Sequence, residues 1–181
     1  MEKIPEPQFL PEGYFYHNEG YLWHILPIEA FSDLPEKVEV RGEEFQRKQE
    51  FHVTVANVRA VAQEIAQKNE DVESIEVSIQ KLLTEYIQSN TIHFEGFEED
   101  LRLAITEERK SVAARCRMSG IEGYLDLIKE KYGKEFTLQP AHVSIYTVNG
   151  MAVGINSDEQ IESYSKIELP EVQKVLNSVE I

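Results

Sequence analysis

The apolar residues of this chain change period along its length, and that change limits the possible folds more than any other feature. Phe51, Val53 and Val55 alternate with His52, Thr54 and Ala56, a period of two that sends successive side chains to opposite faces of a strand. From Val58 the period lengthens. Val58, Val61, Ala62 and Ile65, then Val72, Ile75, Ile79, Leu82 and Tyr86, recur at helical spacing, so 57–89 reads as two amphipathic helices broken near Asn69. Period two returns over 91–118, where Leu101, Leu103 and Ile105, then Val112, Ala114, Cys116 and Met118, mark two strands joined by a hairpin around Glu107 to Lys110. Ser119 to Glu122 fits a capping box, Ile121, Leu125, Ile128 and Tyr132 form the stripe behind it, and Gly133 supplies a stop. Strand, helix, strands, helix, strand is the order of an α+β chain and invites two similar halves.

The flanks are less regular. Residues 1–20 hold Pro5, Pro7 and Pro11 with two glycines, which argues against regular pairing and predicts an arm pinned by Tyr14, Phe15 and Tyr16. A first buried strand is expected from Tyr21 to Ile28, ending at Pro27, with irregular chain through Pro35. Val38 and Val40 alternate with charged neighbours, and Glu43 to Glu50 is polar enough to be an edge strand or a solvated connection. In the segment from Phe136 to Val148, His142, Ser144 and Tyr146 share one face and Val143 and Ile145 the other. Another strand near Met151 to Ile155 and a helix opening at Pro170 complete the expectation: an arm over 1–20 and one domain over 21–181.

Charge narrows the partners. Against 18 Lys and Arg stand 33 Asp and Glu, a formal net charge of −15. Such a surface repels nucleic-acid phosphates and anionic lipid over about a Debye length, which disfavours long duplexes and membranes but leaves room for a small anion in a pocket of donors. No apolar run approaches the roughly 20 residues of a spanning helix, and residues 1–20 lack the pattern of a secretory leader, so a cytoplasmic monomer is expected. The single Cys116 has no disulfide partner and reads as an apolar filler; no C-x-x-C pair offers a zinc site.

One short pattern occurs twice. His52-Val53-Thr54-Val55 and His142-Val143-Ser144-Ile145 are both H-x-[T/S]-apolar, each on an expected strand; His17, His24 and His93 lack it. Residues two apart on a strand stand side by side on one face, about 6–7 Å apart, so each motif presents an imidazole and a hydroxyl together. An imidazole titrating near neutrality can accept a proton on one side of a phosphodiester and donate one on the other. The hydroxyls can donate to the non-bridging oxygens. A lone strand histidine is ordinarily a hydrogen-bonded spacer; two in matching frames argue for chemistry.

With these motifs, over roughly residues 20–150, the chain resembles the 2H phosphoesterase superfamily. The resemblance implies a bilobal, pseudo-symmetric α+β fold, with two mainly antiparallel sheets flanking a central cleft and helices outside. It implies metal-independent hydrolysis of a cyclic or 2′-linked phosphate on a nucleotide or short RNA end, with no cofactor. His52 and His142 become the acid/base pair, either one the base, and Thr54 and Ser144 the phosphate binders.

Further substrate contacts are expected from Tyr146, which can stack on a base or equally serve as a core or rim tyrosine, and from Arg115 and Arg117, which lie in the cluster Arg109, Lys110, Arg115, Arg117 and can line the cleft. The alternative reading of that cluster is a solvated sheet face balancing nearby acids. The rival function is a non-catalytic nucleotide- or phosphate-binding module on the same fold. RNA strand joining would need a polynucleotide groove that the charge opposes. No H-E-x-x-H, Walker or dinucleotide-binding glycine motif is present, and His93-Phe94-Glu95 lacks the P-C-x-x-C of a zinc deaminase.

Overall fold

The computed structural model describes residues 10–66, 71–136 and 139–181. The fold is α+β, with two antiparallel sheets and, among the described residues, five α-helices. The smaller sheet has the order β1 (Tyr14–Tyr16), β2 (Tyr21–Leu26), β5 (Phe51–Asn57). The larger runs β3 (Lys37–Val40), β4 (Glu43–Arg47), β8 (His142–Thr147), β7 (Lys110–Ser119), β6 (His93–Ile105), β9 (Ser165–Ile167). The helices are α1 (Val58–Ile65), α2 (Val72–Tyr86), α3 (Ile121–Tyr132), α4 (Asp158–Ser163) and α5 (Pro170–Asn177).

The chain forms two compact units. The first comprises Met1–His24, Thr54–His93 and Ser119–Leu138, and therefore holds α1, α2 and α3. Asn57 caps α1 by accepting from the Ala60 N–H at 3.2 Å, and Asp71 caps α2 by accepting from Glu73 at 3.0 Å, each quieting an otherwise unpaired amide of the first turn. Inside this unit the buried Tyr124 hydroxyl donates to the Ile79 carbonyl at 2.8 Å, tying α3 to α2. Glu76, almost fully buried on α2, accepts from Arg59 Nε at 2.9 Å and from the Tyr16 hydroxyl, so its charge is compensated.

The second unit comprises Ile25–Val53, Phe94–Met118 and Gln139–Ile181. Its core joins Phe51 and Val53 of β5 to Val143 and Ile145 of β8, Ala114 and Cys116 of β7, and Val172 and Leu176 of α5. Cys116 is a core side chain whose thiol burial pushes up to about 12.

Several expectations are corrected. Residues 14–16 are a strand paired with β2, Phe15 opposite Trp23: the prolines end at Pro11, and the turn closed by the Tyr14 N–H on the Pro11 carbonyl returns the chain to the sheet. Residues 1–9 of the expected arm lie outside the described residues, as does Asn69, the expected helix break. Segment 43–47 is an interior strand, since β3 covers its far side; only Phe45 of it is buried while Glu44 and Gln46 face water, which is why it reads as an edge. No capping box forms at α3. Ser119 ends β7, and Gly120 makes the turn at φ 89°, where a Cβ would run into the Thr91 carbonyl. Residues 151–155 form no strand; β7 is already paired on both sides, and Val153 N–H donates to Ser111 Oγ at 3.1 Å instead. Helix α4 and strand β9 were not expected, although Ser157 to Gln160 carries a capping-box pattern and Ser157 Oγ accepts from the Gln160 N–H at 3.1 Å. Among the described residues, no helix is long and apolar enough to cross a membrane.

Candidate active site

His52 sits on β5 and His142 opens β8, in different sheets but in the same compact unit. The connection between β4 and β5 brings them together. Arg47 is the last β4 residue paired with β8, opposite Tyr146, and the Lys48 N–H donates to the Ile145 carbonyl at 2.9 Å. Four residues later the chain reaches His52, a span of at most about 14 Å. The rings are near enough for the charge of His52 to depress the proton affinity of His142.

Each imidazole is held at Nδ1. His142 Nδ1 lies 2.8 Å from the Pro140 carbonyl, an acceptor only, so Nδ1 carries the hydrogen and Nε2 keeps its lone pair. Desolvation pushes the His142 pKa down to about 4, with His52, Arg115 and Lys48 adding repulsion that the Pro140 bond only partly offsets. His142 is neutral at physiological pH. His52 Nδ1 lies 2.7 Å from Glu50 Oε1, a charge-assisted contact when the ring is protonated. The two histidines thus share a motif and an orientation but have unlike partners, one a carbonyl and the other a carboxylate.

A β-bulge shapes the rest. On β7 and β8 the register runs Arg115 opposite His142, Ala114 opposite Val143, Ala113 opposite Ser144, and then jumps to Val112 opposite Tyr146. Ile145 is the extra residue, and the alternation of β8 flips across it. His142 and Ser144 therefore share a face with Arg115 and Ala113. Tyr146 turns the other way into the core, fully buried, with its hydroxyl donating to the Pro35 carbonyl at 2.8 Å. The expected face of His142, Ser144 and Tyr146 is corrected accordingly: Tyr146 packs in the core, where no base can stack on it. Ser144 is buried at 9% exposure, a hydroxyl on the His142 face of the strand. Thr54, half-buried, lies two residues along β5 from His52 and is the first β5 residue of the other unit.

The basic cluster is divided. Lys110 and Arg117 stand seven residues apart on one strand, about 23 Å at strand rise. Lys110 Nζ pairs with Glu43 at 2.6 Å and Arg109 donates to the Ala152 carbonyl at 3.3 Å, both at the hairpin end. Arg117 is exposed, its guanidinium on the carbonyls of Phe97 at 3.3 Å and Glu95 at 3.4 Å. Arg115 lies directly across from His142, and it is held by Asp158 at 2.9 Å, with Asp100 and Glu162 each at 3.9 Å.

Sequence reasoning passed over Lys48 and Glu50. Both precede the motif at two-residue steps, and the alternation 48, 50, 52 was the available signal; it was masked by the polar, mixed-charge run in which they sit. Burial lowers the Lys48 pKa, and Glu50 opposes that fall. Among the described residues, no group of three or more His, Cys, Asp and Glu side chains is arranged to hold a metal ion. Comparison with protein families, with curated proteins and with solved structures finds no significant match to this chain.

Proposed function

We propose that this chain is a metal-independent phosphodiesterase that opens a cyclic or 2′-linked phosphate on a nucleotide or short RNA end by two-histidine acid/base catalysis. What supports the reading above all is that both motif histidines fall in one unit, each anchored at Nδ1, with His52 close enough to act electrostatically on His142. Neutral His142 is the base: its Nε2 takes a proton from water as the water oxygen bonds to phosphorus. His52 is the acid: as the ester P–O bond breaks, it gives its Nε2 proton to the leaving oxygen. Solvent exchange resets both rings.

Ser144 Oγ donates to a non-bridging oxygen, and the cations Lys48 and Arg115 beside His142 offset the phosphate charge in a chain that is otherwise acidic. Thr54 is the second hydroxyl that the family resemblance assigns to the phosphate. The pseudo-symmetric two-lobed fold and a cytoplasmic setting belong to this same reading. A net charge of −15 favours a mononucleotide or a short end over a long strand.

The test is a screen of 2′,3′-cyclic mononucleotides, 2′,5′-linked dinucleotides and ADP-ribose cyclic phosphate, run in EDTA with products read by mass. Turnover of one of these that His142→Ala abolishes supports the proposal. Saturable binding with no product leaves a nucleotide-binding module in its place.

A further inference from the structure

We propose that Glu50 is a positioning residue that makes His52 the proton donor of the pair. The inference rests on the phosphodiesterase reading for its consequence in catalysis, while the contact itself stands apart from it. The Glu50 carboxylate meets His52 Nδ1 at 2.7 Å, and the His52 side chain is only 16% exposed. A carboxylate oxygen can only accept, so Nδ1 is fixed as the protonated nitrogen and the proton available for transfer is the one on Nε2.

The same contact sets the charge. An imidazolium near cations is disfavoured, and Lys48 on the same connection and Arg115 on β7 are both cations that act on the neighbouring His142. Arg115 is partly neutralised by Asp158 and Asp100, whereas Glu50 is the carboxylate in contact with the His52 ring. Glu50 thereby separates two rings that the sequence writes alike, with a carbonyl under the base and a carboxylate under the acid. In the reaction its role is indirect. It accepts from Nδ1 while Nε2 releases its proton to the leaving oxygen, and no bond to Glu50 forms or breaks.

Because Glu50 is half exposed, solvent screens its effect, and Glu50→Gln is expected to lower kcat on a 2′,3′-cyclic mononucleotide about tenfold with KM little changed. The alkaline limb of the pH profile should move down by about 0.5–1 unit while the acid limb moves less. With bis(p-nitrophenyl) phosphate, whose leaving group needs no protonation, the Glu50→Gln loss should shrink to about twofold. The imidazole ¹⁵N titration of His52 gives a readout without substrate: its midpoint should fall in Glu50→Gln. An unmoved His52 midpoint, or an alkaline limb identical to wild type, overturns the proposal. A fallen midpoint in a protein that turns over no phosphodiester upholds the Glu50–His52 pair and removes the phosphodiesterase reading instead.

Discussion

Strand β8 lies inside the six-stranded sheet between β4 and β7, while β5 lies at the end of the three-stranded order, and the difference separates two histidines that carry the same motif. On β8 the imidazole is desolvated, faces the cations Arg115 and Lys48, and has only a carbonyl under Nδ1, so it stays neutral. On β5 the imidazole has a carboxylate at the same atom. An acid/base pair needs this inequality, because two identical rings at one pH would share one protonation state most of the time. In the proposed mechanism pattern repetition supplies the parts, and unlike neighbours assign the roles.

The strongest way to break the comparison is to remove either ring. His142→Ala and His52→Ala should each lower kcat by about 10²–10⁴ on a native-type diester, and the double variant should be little worse because the groups act as a unit. An aryl leaving group sharpens it: the loss should persist in His142→Ala and largely vanish in His52→Ala. The reverse pattern in steady-state rates would exchange the two roles.

A smaller effect is expected at the hydroxyl beside the base. Ser144→Ala removes one donor and should cost about 1–4 kcal/mol of transition-state binding, read from kcat/KM, without lowering the unfolding midpoint by more than a little. A large loss of stability with full activity would make Ser144 a packing residue. Smaller again, Tyr146→Phe should leave kcat and KM unchanged and lower stability by about 1–2 kcal/mol in urea, since it strands the Pro35 carbonyl. A rise in KM would return Tyr146 to the substrate.

Much of the frame was legible because local period and side chemistry agreed. The strand at Phe51, the helices behind it and the β6–β7 hairpin follow from alternation that no neighbour overrides. Both motif histidines were legible for the same reason. What escaped depended on register. The bulge at Ile145 adds one residue to β8, and no local signal in HVSIYT announces it; only the pairing with β7 shows that Tyr146 has crossed to the core. Arg115 was legible as a strand-face cation, yet its company of Asp100, Asp158 and Glu162 comes from β6 and α4, far away in sequence. Glu50 was hidden in a polar run of mixed charge, where only contact distinguishes a partner from a solvated charge.

The most direct test of the account is the pH dependence of kcat/KM on a 2′,3′-cyclic mononucleotide in the presence of EDTA. His142 acts only when neutral, and burial holds its pKa down at about 4, so activity should be lost as pH falls through that region and should be established well below neutrality. His52 acts only when protonated, so activity should fall again on the alkaline side, giving a bell whose limbs are properties of the pair. EDTA should leave that bell unchanged. A single rising limb, together with activity lost to the chelator, is the behaviour of a metal-bound hydroxide and would contradict the two-histidine mechanism.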